Sequence, residues 1–132
     1  MRKNLLYGFL FITGILLSQT PNTVVSKINY GDTLHVEGIS VEFIEVISDS
    51  RCPTNVTCVR AGEATVLIEV YRNGKLIEQK ELVFQAIGVT NSKRNSVYVS
   101  EEINITALGL FPYPKSPNKI LKSDYCLELQ IN

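Results

Sequence analysis

The sequence predicts an all-β protein: one antiparallel β-sandwich, immunoglobulin-like, with seven or eight short strands. Three observations carry that prediction. Short runs rich in Val, Ile, Thr, Tyr and Phe alternate with Gly, Asn, Asp and Pro. After the first twenty residues no stretch shows helical periodicity. The length of 132 residues, 45% apolar and 20% charged, suits a single packed domain and excludes a disordered or collagen-like chain. A small β-barrel is the alternative architecture.

Residues 1–20 read as a cleaved signal peptide and 21–132 as the sandwich domain. Arg2 and Lys3 precede a charge-free run from Leu5 to Leu17. As a helix that run reaches only about 20 Å at ~1.5 Å per residue, short of the roughly 30 Å of bilayer hydrocarbon. A basic start, a short apolar core and small polar residues after it describe a secretory leader, cut near Ser18. Leu16 is large for the position two residues before that cut, and Pro21 disfavours cleavage after Thr20. An uncleaved N-terminal anchor is the rival reading. No Cys follows the apolar run, which argues against a lipid-anchored lipoprotein.

Strands are expected over Thr23–Ile28, Thr33–Glu37, Ile39–Ser48, Ala64–Arg72, Lys75–Phe84, Ser96–Val99, Asn104–Leu110 and Tyr125–Ile131. In the third of these Ile39, Val41, Phe43 and Ile47 share one face, interrupted by Glu45, while Ile44 and Val46 occupy the other. That strand is buried on both sides or carries a bulge. Val66, Ile68 and Val70 line one side of the fourth. Asn73-Gly74 between two strand-like runs predicts a type I′ hairpin, because both central residues must take positive φ. Leu127, Leu129 and Ile131 alternate with Glu128 and Gln130 in a half-buried closing strand. Pro112, Pro114 and Pro117 lack the donor N–H of a central strand, so their segment is an extended loop or an edge crossing.

Cys52 and Cys58 lie close in sequence on either side of a turn favoured by Pro53 and Asn55. In an oxidising compartment they are expected to pair, contributing about 2 kcal/mol for so short a loop. A metal site is the rival, but the spacing is not that of a zinc motif and His35 is the sole imidazole. No metal or cofactor is expected. Cys126 shares a strand face with Glu128 and Gln130, outward or beneath a neighbouring loop. It reads as a free thiol, with a covalent dimer as the alternative.

The stretch Asp49-Ser50-Arg51-Cys52-Pro53, then Val56, then Cys58-Val59-Arg60-Ala61-Gly62 carries a resemblance. It is similar to the signature Asp-Ser-Arg-Cys-Pro-x-x-Val-x-Cys-Val-Trp-Ala-Gly of an uncharacterised family of small exported bacterial proteins. Leu110-Phe111-Pro112-Tyr113-Pro114, Ile120, Tyr125 and Leu127-Glu128-Leu129 agree with its C-terminal pattern, so the likeness spans about Ile39 to Ile131. Arg60 stands where that family usually has Trp. The resemblance implies export and the disulfide, and no reaction.

Catalysis would require His35, which alternates with Leu34 and Val36 and projects to the polar face. Glu101-Glu102 reads as a charged turn, and no phosphate loop, His-Glu pair or Gly-x-Ser-x-Gly occurs. With 13 basic and 13 acidic residues, and 11 against 13 once Arg2 and Lys3 leave with the leader, nothing favours nucleic acid or anionic lipid. The expected function is that of a secreted or periplasmic, non-catalytic module, binding or surface-associated, for a protein or surface ligand. Arg51 and Arg60, flanking the stapled loop, are its candidate contacts. The alternative is a secreted protease inhibitor presenting the Cys52–Cys58 loop. Asn55 and Asn104 begin N-glycosylation sequons, which a bacterial chain would leave unused. Phe111 and Tyr113 either form an exposed aromatic patch or cover the open end of the sandwich.

Overall fold

A computed structural model of the chain describes residues 14–19, 22–86 and 95–132. The leader expected over residues 1–20 lies for the most part outside them. Its described portion, residues 14–19, is irregular and exposed. Among the described residues the strands are β1 (Val24–Asn29), β2 (Thr33–Val36), β3 (Ile39–Asp49), β4 (Glu63–Arg72), β5 (Lys75–Gln85), β6 (Ser96–Val99), β7 (Asn104–Phe111) and β8 (Cys126–Ile131). Each lies within a residue or so of its expected bounds. One 3₁₀ turn, Lys122–Asp124, precedes β8.

Two antiparallel sheets form, in the orders β1-β8-β7-β6 and β2-β3-β4-β5. Their inner faces meet over Phe43, Ile68, Leu82, Ile105, Leu127 and Leu129, all fully buried. The expected β-sandwich is therefore present, and the sheets do not close into a barrel. Apart from β1 beside β8, every paired strand is a chain neighbour. That connectivity is simpler than the Greek key of immunoglobulin domains. Two-residue turns make two of these pairings, β2 with β3 and β4 with β5, while longer connections join β3 to β4, β6 to β7 and β7 to β8. Asn73 and Gly74 take φ of 49° and 79°, and Glu37 and Gly38 take 45° and 83°. Positive φ at both positions matches the twist of a tight hairpin and pairs the two strands that flank each turn.

The outcome in β3 is a bulge. Register shifts fall between Phe43 and Glu45 and between Val46 and Ser48. The first turns Val46 into the core in place of Glu45, and the second leaves Ile47 outside, 49% exposed. This corrects the expectation that Ile47 shares the inner face with Phe43. β2 pairs with β3 only as far as Glu42, with Asp32 and Gly31 adding backbone bonds at Phe43. The far end of β3 thus runs past its neighbour, toward the end of the sandwich where residues 50–62 and 112–121 cross.

Candidate functional site

In an extended chain residues two apart share a face. Asp49, the last residue of β3, and Arg51 just beyond it therefore turn the same way, and they meet. Arg51 Nε donates to Asp49 Oδ1 and Nη2 donates to Oδ2, both at 2.8 Å. The guanidinium continues across the sandwich: Nη1 donates to the Leu110 carbonyl at 2.7 Å and Nη2 to that of Pro112 at 3.2 Å. Its carbon sits 5.0 Å from the centre of the Tyr113 ring, a cation–π contact. Tyr125, on the inward parity of Leu127 and Leu129, donates its hydroxyl to Asp49 Oδ2 at 2.8 Å. The paired charges can lie buried because the fork is matched and the remaining sites are largely filled.

The titration of this cluster follows from its surroundings. Burial opposes the Asp49 charge, but the hydrogen bonds from Arg51 and Tyr125 outweigh it, so the carboxyl titrates below its ordinary value. Burial, then the hydrogen bond to Asp49, pushes the Tyr125 phenol up to about 12. Asp49 therefore stays ionised and Tyr125 stays protonated at neutral pH.

The Cys52–Cys58 bridge is formed within the chain, and its loop is anchored at both ends. The β3–β4 ladder continues into the loop through Ser50 N–H to the Glu63 carbonyl and Cys52 N–H to the Ala61 carbonyl, each 2.8 Å. The arms come so close at Gly62 (φ 70°) that a Cβ there would stand 1.8 Å from the Ser50 carbonyl oxygen. Thr54 N–H donates to the Pro114 carbonyl, and the Tyr113 hydroxyl to the Cys52 carbonyl, both at 3.0 Å. Those two bonds fasten the stapled loop to the proline loop, which enters through a cis Phe111–Pro112 bond and buries Pro114. Val56, Val59 and Arg60 of the loop remain exposed.

Between the two loops and the free end of β3 lies a cleft of about 680 Å³. Asp49, Arg51 and Tyr125 contribute to its lining, with Ile47, Lys119 and Lys122 around them. Lys122 Nζ pairs with Glu45 Oε1 at 2.6 Å, and the Tyr30 hydroxyl donates to the same oxygen at 3.1 Å. The hydrogen bond from Lys122 holds the Glu45 carboxyl below its usual range, and the reciprocal contact raises the Lys122 ammonium.

No family model matches the chain, and neither the curated proteins nor the solved structures contain a match.

The sequence-predicted residues divide clearly. Cys52 and Cys58 pair as expected. Arg60 is exposed. Arg51 is not: at 5% exposure with its fork occupied, it is an anchor, which corrects its expected role as a surface contact. Cys126 is a half-buried free thiol, shifted up by burial. His35 lies exposed on β2, its Nδ1 2.8 Å from Ser40 Oγ across the hairpin, and Nε2 has no carboxylate partner among the described residues. Glu101 and Glu102 are exposed in a turn held by Ser100. Asn55 and Asn104 are both exposed. Phe111 is exposed, whereas Tyr113 is half-buried against Arg51. Sequence reasoning did not pair Asp49 with Arg51 and Tyr125, although two periods of two point to it: 49 with 51, and 125 with 127 and 129.

Proposed function

We propose that the protein is an exported, non-catalytic binding module that works in the periplasm or outside the cell, with the stapled loop as its contact surface. One observation carries the reading: the loop is held by Arg51, the disulfide and Thr54, while its Val56, Val59 and Arg60 are exposed. A surface held in advance loses little conformational freedom when a partner lands on it. Three features support export. A disulfide persists in oxidising compartments. The leader has the composition of a signal peptide. Ile15, Leu16 and Leu17 are exposed instead of joining the core, as suits a segment outside the folded domain.

A photo-crosslinking residue at Val59, in cells exporting the full chain, tests this reading. The control position is Leu76, also exposed but at the opposite end of the sheet. Adducts from position 59 alone are expected. Adducts from both positions alike, or from neither, would overturn the contact surface.

Protease inhibition is the second reading, favoured by the exposed Val59-Arg60 pair directly behind Cys58. An arginine there suits a specificity pocket with an acidic base. Titration of trypsin with the purified protein would then give inhibition that Arg60→Ala abolishes without moving the thermal midpoint. Activity unaffected by the wild-type protein removes this reading.

A further inference from the structure

We propose that the cleft beside the stapled loop takes a short, extended acidic peptide; this rests on the binding reading and names its ligand. Charge is the first argument. The cleft is lined by Arg51, Lys119 and Lys122 against the single carboxylate of Asp49, in a chain whose formal charges balance. Arg51 and Asp49 neutralise each other, and Lys122 is paired with Glu45 beside the cleft, so Lys119 sets the sign. Lys119 is exposed and has no ion pair among the described residues. Lys122 is 62% exposed and gives one hydrogen bond to Glu45. An ammonium has three donors, so it can meet a second carboxylate.

Backbone geometry is the second argument, and it selects a peptide among anions. Beyond Phe43, β3 is paired only on its β4 side among the described residues. Val46, Ile47, Ser48 and Asp49 of that segment line the cleft. An open strand edge accepts an extended chain through main-chain hydrogen bonds. The bulges, together with Glu45 Oε1 accepting from the Val46 N–H at 3.1 Å, close the middle of this edge. They leave room for a few residues and exclude a whole sheet edge such as a second copy would offer. Ile47 and Ile120, on either side, provide apolar contacts for residues alternating with the acidic ones. Thr54 N–H to Pro114 carbonyl ties the walls together, so the cleft is preformed.

The test is a titration of isotope-labelled full-length mature protein with the capped peptide Glu-Val-Glu-Val-Glu, followed by amide NMR shifts. Its neutral counterpart Gln-Val-Gln-Val-Gln is run beside it. The acidic peptide is expected to move Ile47, Ser48, Asp49, Ser116 and Lys119, more weakly as salt is added. Lys119→Glu should weaken binding about tenfold. Lys75→Glu, the same charge change at the far hairpin, should leave it unchanged. Equal binding of the glutamine peptide in the cleft would overturn the acidic preference and leave the binding module standing. Shifts confined to another surface, or none at millimolar peptide, would overturn peptide docking here. The crosslinks expected from Val59 test the broader reading independently of the cleft.

Discussion

Arg51 makes four side-chain hydrogen bonds and one ring contact from a position that water scarcely reaches. Deleting one member of such a pair leaves the other charge buried and uncompensated, which costs about 3–5 kcal/mol. Arg51→Met should therefore lower unfolding stability by that order in urea. Arg51→Lys should recover little of it, because an ammonium cannot span Asp49, Leu110 and Pro112 together. Asp49 gives the matching pH dependence. Its folded carboxyl titrates below its unfolded value of about 3.9. Its contribution is thus complete above that value and is lost as pH falls through the folded one. Thermal midpoints measured from neutral pH into acid should fall in that window, and Asp49→Asn should flatten the fall while lowering the neutral value. Gly62 is constrained from the other side: with φ at 70° and the Ser50 oxygen where a Cβ would go, Gly62→Ala should cost more than about 1 kcal/mol in the same urea experiment.

The loop from Asp49 to Glu63 is where local chemistry and element geometry meet. Closing so short a ring removes little chain entropy, so Cys52→Ser with Cys58→Ser should cost about 2 kcal/mol. Far-ultraviolet circular dichroism should stay that of the sandwich, since the core strands make no contact through the bridge. A larger loss, with unfolding at room temperature, would mean that the staple holds the sheet and not merely the loop. The strands themselves were legible because apolar alternation and turn residues agree. Val66, Ile68 and Val70 turn inward as read, and Asn73-Gly74 makes the hairpin it promises. Glu37-Gly38 makes another that glutamate does not advertise, being an unusual residue at positive φ. In β3 the pattern said that something irregular happens, but the position of a bulge depends on which of Glu45 and Val46 the opposite sheet will bury. That is a tertiary decision, and alternation alone cannot make it.

At the scale of the molecule, two antiparallel sheets face each other and the candidate surfaces collect at one end, where β3 outlasts β2 and two cross-connections pack together. Little of this was readable from the chain. Arg51 was visible as a charge beside a cysteine. Its carbonyl partners lie some sixty positions away, and no local pattern announces them. The disulfide was legible because its two ends are near in sequence, and the cleft was not because its walls are far apart. Cys126 follows from the strand parity that placed it: half-buried, with its thiol pushed up by burial, it should react slowly with iodoacetamide in the native protein and fully once unfolded. Departure from the reducing cytosol is the claim on which the staple and its contact surface depend. Intact mass under non-reducing conditions, with and without alkylation, tests it most directly. Protein recovered from the periplasm or medium should be a monomer cut near Ser18, with one alkylatable thiol after denaturation. Three alkylatable thiols on an uncleaved chain would contradict export, the staple and the contact surface built on it.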